Sequence, residues 1–124
     1  MIYKLKTSKD TQNIFDSIQA SEGLQPFILS KIAIALSIRA GRLEQADFSS
    51  DTEGLELNRQ TIFGEYEILI KSLIAMNLSR KIEETEFFPK LTKAHLDRGA
   101  WLLANEVRYG MNFYSNLLKI DDNL

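Results

Sequence analysis

The sequence predicts a mainly α-helical protein with one short N-terminal β-strand followed by about four to five helices. Three observations predict this fold class. Apolar residues recur at helical spacing along most of the chain, strand-like alternation is confined to residues 2–7, and glycine and proline interrupt the pattern at few places. A length of 124 residues allows one hydrophobic core, so we expect residues 1–124 to form a single domain. Residues 2–40 would form a basic unit of that domain, and residues 61–119 a helical part.

The predicted strand at residues 2–7 places Lys4 and Lys6 on one face, with Tyr3 and Leu5 on the other. A lone strand of this length is unstable and needs a partner, most simply the same strand of a second subunit. The resulting ribbon would present both lysines of each copy on one surface, at a width that fits the major groove of DNA. The strand therefore suggests nucleic-acid binding.

Two helices joined at Gly23 are predicted to follow the strand. The first runs from about residue 9 to residue 21 and is expected to end at Gly23, which tolerates a positive φ angle. Pro26 is suited to open the second helix, which reaches about residue 39 and is apolar nearly all round. Such a helix is buried on several sides, and in so small a chain we expect another subunit to supply part of that burial. The prediction is a homo-oligomer.

The rest of the chain is predicted to form a loop followed by further helices. The loop spans residues 41–54, a third helix spans residues 61–78, and Pro89 opens a fourth helix that reaches about residue 108. A short terminal helix is expected at residues 112–119, before a frayed tail. The third helix is predicted to carry one apolar face, lined by Ile62, Tyr66, Leu69, Leu73 and Met76 and flanked by Phe63, Ile70 and Ile74.

Charge is unevenly distributed along this weakly acidic chain, whose net charge is −2. Residues 1–43 and 68–119 carry a basic excess, whereas residues 44–67 are strongly acidic and contain Arg59 as their only base. A basic face can therefore coexist with an acidic total. Arg59 could pair with a neighbouring glutamate or grip a phosphate, and its acidic surroundings favour a structural role.

Several function classes lack support in the sequence. The chain has no cysteine, which excludes disulfides, thiolate metal sites, cysteine nucleophiles and a role as a persulfide carrier. It has no glycine-rich phosphate motif, and its single histidine, His95, has no evident catalytic partner and is expected to be structural. We therefore expect no catalytic residue, no metal and no cofactor. The chain also lacks a membrane-length apolar run and an apolar N-terminal signal core, so a cytoplasmic location is expected.

The strand–helix–glycine–helix order of residues 2–40 resembles the ribbon-helix-helix DNA-binding proteins. In that family the paired strands enter the major groove, and the N-terminus of the second helix binds a phosphate. The resemblance implies that Lys4 and Lys6 face DNA, and that backbone amides near Gln25, Phe27 and Ile28 face a phosphate.

Three blocks in order along the chain carry a second resemblance. The first block is EGLQP at residues 22–26 and the apolar helix that continues to residue 38. The second block extends from NR at residues 58–59 to GEY at residues 64–66. The third block comprises EFFP at residues 86–89, AHL at residues 94–96 and RG at residues 98–99. Together they resemble the DndE-type proteins of bacterial DNA sulfur modification (phosphorothioation). This resemblance implies a non-catalytic subunit that works beside a desulfurase, an iron–sulfur protein and an ATPase. It also implies a homotetramer that binds double-stranded DNA, with a preference for nicked duplex.

The leading hypothesis is therefore a DNA-binding accessory subunit of DNA phosphorothioation that contacts the duplex backbone. One alternative is a scaffold that assembles the modification enzymes through its apolar helix surface and its acidic segment at residues 44–67. Another is a ribbon-helix-helix transcriptional repressor. The residues predicted to contact DNA are Lys4, Lys6, Lys9, Lys31, Arg42 and Lys93.

Overall fold

The computed structural model describes residues 2–109 and confirms a mainly helical fold with a small N-terminal sheet. The predicted terminal helix at residues 112–119 and the tail lie outside the described residues. Within the described part, no helix is long and apolar enough to cross a bilayer. The elements in chain order are β1 (Lys4–Lys6), α1 (Lys9–Glu22), α2 (Pro26–Arg39), β2 (Glu56–Asn58), α3 (Arg59–Phe63), α4 (Glu67–Leu78) and α5 (Thr92–Tyr109).

Strand β1 pairs with β2 of the same chain, so the expected pairing with a second subunit is wrong. The two strands run antiparallel with Leu5 opposite Leu57, and both leucines are buried. The ladder continues past the strand end, where the Thr7 amide donates to the Leu55 carbonyl at 2.9 Å. Three residues are too few for alternation to reveal β2 in the sequence. Burial of the two leucines in one core selects this intramolecular partner.

Helix α1 has the ends that its sequence predicts. The Ser8 side chain accepts a hydrogen bond from the Thr11 amide at the N-terminus, and Gly23 at the C-terminus adopts φ 71°. Helix α2 then begins at Pro26, as predicted. It packs mainly against α5 and also contacts α1, α3 and α4. Because the chain itself covers much of α2, the apolar character of this helix does not require a second subunit.

Helices α2 and α5 approach each other very closely where Gly99 faces Ala33. A Cβ atom built on Gly99 would lie 1.8 Å from the Ala33 carbonyl oxygen, far inside van der Waals contact. Ala33 is fully buried, so its backbone has no free space into which to move. Glycine is therefore required at position 99 by the backbone of the opposing helix.

The third predicted helix is interrupted at Gly64. Its first part is α3, and α4 begins only at Glu67, because Gly64 takes φ 56° and ψ −130°. Over α4 the predicted apolar surface is buried at its flank, at Ile70 and Ile74, and the residues at its centre are exposed. The side chains that point outward and remain exposed are Tyr66, Ile68, Leu69, Leu73 and Met76.

The fourth predicted helix opens at Pro89, as expected, because the non-helical backbone inside the segment Glu86–Leu91 is confined to Phe88. Phe88 is extended, with φ −134° and ψ 121°, and the segment forms an irregular wide turn around this kink. A residue that precedes proline is driven out of the helical region by a clash with the proline ring. The regular α-helix α5 follows from Thr92.

Candidate nucleic-acid interface

The outer face of the β1–β2 ribbon carries the two N-terminal lysines. Lys4 and Lys6 are exposed, while Leu5 between them is buried, as the alternation predicted. The residue opposite Lys4 is Asn58, and the residue opposite Lys6 is Glu56. Directly opposite residues share a face with Cβ atoms about 5 Å apart, so Glu56 lowers the positive potential beside Lys6. The positive potential is consequently higher beside Lys4 than beside Lys6.

Lys9 and Lys93 lie near the N-terminus of α1, but in different electrostatic settings. Lys9 is exposed, and its Nζ donates to the neutral Gln12 Oε1 at 2.9 Å. Lys93 Nζ donates to Asp97 Oδ2 at 2.7 Å and to the Ser49 carbonyl at 3.0 Å, and its side chain is only 13% exposed. The charge of Lys93 is thus neutralised within the chain, whereas the charge of Lys9 faces solvent.

Lys31 and Arg42 each bind a backbone carbonyl. Lys31 Nζ donates to the Thr61 carbonyl at 3.1 Å and lies 5.5 Å from the centroid of the Phe27 ring. Arg42 is exposed and donates to the Leu78 carbonyl at 3.2 Å, near the end of α4. Neither residue forms an ion pair with another described residue, so both retain a positive charge that is open to an anion.

The backbone amides predicted to face a phosphate lie at the N-terminus of α2. Gln25 is the N-cap residue, and no side chain caps this end of the helix. The Ile28 amide already donates to the Gln25 carbonyl at 3.0 Å. This amide therefore has a partner in the chain without any phosphate.

Lys90 is a cation that the sequence-based set missed. It lies in the segment Glu86–Leu91, which contacts β1, and its Nζ is 5.6 Å from the centroid of the Phe48 ring. The basic excess of residues 68–119 was the only sequence signal for it, because its position beside Phe48 depends on tertiary structure.

Arg59 has a structural role, as its acidic surroundings suggested. It is 7% exposed, its Nε lies 2.6 Å from Glu67 Oε1, and it also pairs with Glu84. Its guanidinium carbon lies 5.0 Å from the centroid of the Phe88 ring. The hydrogen bond from Arg59 lowers the pKa of Glu84, so the pair stays ionised. This cluster joins the start of α3 to the wide turn that precedes α5.

His95 belongs to a buried hydrogen-bond network between α2 and α5. Its Nδ1 lies 2.7 Å from Ser37 Oγ, which accepts a hydrogen bond from Arg98 Nε at 2.8 Å. The Ser37 hydroxyl is therefore free to donate to His95. Arg98 also donates to carbonyl groups at and just beyond the end of α2, among them that of Arg42 at 3.1 Å. The network satisfies helix-terminal carbonyls and encloses the imidazole, which is fully buried.

Burial, reinforced by the nearby Arg98, lowers the pKa of His95 from 6.5 to about 4, against a smaller opposing effect of Asp47. The unfolded chain therefore binds a proton at this position at a higher pH than the folded chain. The free energy of unfolding therefore decreases as pH falls from 6.5 to 4, by up to about 1.4 kcal/mol per pH unit.

We expect the free energy of unfolding of His95→Asn to depend less on pH over this interval than that of the wild-type protein. Urea denaturation of both proteins at several pH values measures the difference. Parallel pH profiles would show that His95 does not carry this dependence.

Comparisons with known proteins give the same family at the level of sequence and of fold. The family model described as DNA sulphur modification protein DndE matches residues 4–109. The crystal structure of DndE from Escherichia coli B7A, involved in DNA phosphorothioation modification, is 20% identical with a TM-score of 0.66, over 83% of this chain and 97% of that one. A crystallised glycine-to-lysine mutant of DndE is 20% identical with a TM-score of 0.65, over 83% of this chain and 98% of that one. No curated protein matches the chain.

Proposed function

Because the chain belongs to the DndE family, we propose that it is a non-catalytic, DNA-binding accessory subunit of DNA phosphorothioation. In this modification, sulfur replaces a non-bridging oxygen of the DNA backbone. We infer that the chain binds the backbone of duplex DNA, beside the other proteins of the modification system and in the cytoplasm. The observation that carries the proposal is the exposed pair Lys4 and Lys6 on one face of the ribbon.

The ribbon supplies the chemistry that a phosphate backbone requires. Among the described residues, Lys4, Lys6 and Lys9 form no ion pair, so no internal ion pair has to be broken when an anion binds. Lysine ammonium groups bind phosphates as point charges and carry little information about base sequence. Such a surface suits a protein that positions DNA for modification of its backbone.

A binding role also agrees with the side chains that the chain lacks. With no cysteine, it can neither carry a persulfide nor hold a cluster through thiolates. Its only histidine, His95, is enclosed in the core with a lowered pKa and cannot reach a DNA backbone. We therefore assign the chemistry of sulfur transfer to partner proteins.

Self-association is the second part of the proposal, and α4 supports it. We define the α4 stripe as Tyr66, Leu69, Leu73 and Met76, which recur at the three- and four-residue spacing of an apolar helix–helix seam. Leu69 is 55% exposed and Met76 is 73% exposed, so the chain's own core does not cover them. Packing of these stripes between copies would bury them and bring several ribbons together. We propose that the oligomer formed in this way is the homotetramer that the resemblance to DndE-type proteins implies.

The proposed preference for nicked duplex follows from deformability. A nick removes one covalent connection, so the duplex bends at that point with less elastic energy. Ribbons held at fixed positions in an oligomer would therefore bind a nicked duplex more tightly than an intact one.

We expect Lys4→Gln combined with Lys6→Gln to weaken binding to a nicked duplex. The slope of log affinity against log salt concentration should become shallower by about 0.9 for every phosphate that the variant no longer neutralises. Fluorescence anisotropy with labelled nicked and intact duplexes at several salt concentrations measures both quantities.

Two matched variants make this test specific. Lys81→Gln removes an exposed positive charge that is not among the predicted contacts and should leave affinity unchanged, while Glu56→Gln should raise it by unmasking Lys6. Equal losses of DNA affinity for the Lys4–Lys6 variant and the Lys81 variant would show that DNA binds to a surface other than the ribbon. No measurable affinity at about 100 mM salt would favour the scaffold hypothesis, and strong preference for one palindromic sequence would favour the repressor.

A further inference from the structure

A cleft of about 290 Å³ lies between α1, the loop at residues 41–54 and α5, on residues that the proposed DNA surface does not use. We call it the Trp101 cleft, because the chain's only tryptophan lines it and is 61% exposed. Ile14 and Ala46 line the cleft beside the indole. A large aromatic side chain left open at the edge of a cleft is typical of the centre of a binding surface.

Carboxylates give the Trp101 cleft its charge. Four aspartates line it, and two of them are already paired, Asp97 with Lys93 at 2.7 Å and Asp47 with Arg98 at 3.5 Å. The other two, Asp10 and Asp51, form no ion pair with another described residue.

Hydrogen bonds keep Asp51 ionised. Its carboxylate accepts hydrogen bonds from the Lys9 and Glu53 amides, and the bond from Lys9 contributes most to lowering its pKa. The nearby Lys9 ammonium donates to Gln12. The cleft is therefore lined both by a largely exposed indole and by carboxylates that have no ion-pair partner among the described residues.

We propose that the Trp101 cleft binds a basic segment of a partner protein. An arginine or lysine side chain would stack on the indole and place its charge next to Asp10 and Asp51. Tryptophan is the best aromatic surface for such a cation, and guanidinium groups also stack on aromatic rings. The same carboxylates repel a phosphate backbone, so this surface binds protein and leaves DNA to the ribbon.

The single tryptophan reports directly on this site. We titrate the intrinsic fluorescence of Trp101 with a synthetic peptide that contains three arginines separated by glycines, and with the same peptide carrying three glutamates. The arginine peptide should give a saturable change, and the glutamate peptide should give none. By calorimetry, Trp101→Ala and Asp10→Asn should each weaken the arginine peptide by about fivefold or more.

Asp16→Asn is the matched control, because Asp16 is an exposed aspartate on the same helix but outside the cleft. Equal losses for the Asp10 and Asp16 variants would overturn the proposal in favour of non-specific charge attraction. A fluorescence change that follows protein concentration without peptide would overturn it in favour of a second copy in the cleft. Affinity for nicked duplex should not fall in Asp10→Asn or Trp101→Ala, and a loss there would show that DNA binds in the cleft.

Discussion

Replacing Gly99 with alanine is expected to destabilise the protein by at least about 3 kcal/mol, the upper range for overpacking a core. The new Cβ atom would lie 1.8 Å from the Ala33 carbonyl oxygen, and the other close neighbours are also backbone atoms of Ala33. A side-chain rotation therefore cannot relieve the clash, and α2 must move away from α5. Because α2 packs more extensively against α5 than against any other element, that movement disturbs the centre of the core. Urea denaturation measures the decrease in the free energy of unfolding.

Gly23→Ala is the matched control for this prediction. Gly23 has φ 71°, but a Cβ atom built there meets nothing within 4 Å. Its replacement should cost only about 1 kcal/mol, which is the backbone strain of a positive φ angle. Similar losses of stability for the two variants would show that α2 and α5 are less tightly packed than their geometry indicates. If the Gly99 variant does not accumulate as folded protein while the Gly23 variant does, this outcome also supports the prediction.

Much of the helical architecture was predictable, because its signals are local. Ser8, Gly23 and Pro26 mark helix ends through capping and backbone preference, and these act within a few residues. Strand β2 was not predictable in this way, since three residues of alternation are no signal without the partner strand. The break at Phe88, before the helix that Pro89 opens, was predictable as well, because a residue that precedes proline is driven out of the helical region.

The face of α4 that points inward could not be chosen from periodicity. This helix is apolar on two sides, one with Ile70 and Ile74 and the other with the α4 stripe. Hydrophobic spacing indicates that a surface is buried, but it does not say whether the same chain or another molecule buries it. The structure buries the predicted flank, Ile70 and Ile74, and leaves the α4 stripe exposed on the single chain.

The exposure and the neutralisation of the candidate DNA contacts also depend partly on local sequence and partly on tertiary structure. Alternation places Lys4 and Lys6 on one exposed face, and the structure confirms that placement. Neutralisation of Lys93 is partly local, because Asp97 lies one helical turn away, whereas Glu56 reaches Lys6 only through the pairing of β1 with β2. The sequence therefore identifies the cationic side chains, and tertiary structure determines which of them lie beside a neutralising carboxylate.

Replacing Leu69 and Leu73 together with glutamate is expected to convert the proposed oligomer into folded monomers. Burial of a leucine contributes about 2 kcal/mol, so the two substitutions remove about 4 kcal/mol from each stripe and add charges that resist desolvation. For one stripe this decrease corresponds to about a thousandfold, so association through two substituted stripes should weaken by at least that factor. Because both side chains are exposed in the single chain, the core is untouched and the circular dichroism spectrum should be unchanged. Light scattering over a range of concentrations measures the mass.

The same variant tests whether assembly contributes to DNA affinity. If several ribbons contact one duplex, separation into monomers removes the advantage of simultaneous binding, and affinity for nicked duplex should fall by at least about a hundredfold although every lysine remains. Leu69→Met combined with Leu73→Met keeps the stripe apolar and should preserve both mass and affinity. An unchanged mass for the glutamate variant would exclude the α4 stripe as the interface. A monomeric variant with full affinity would show that one ribbon suffices for DNA binding.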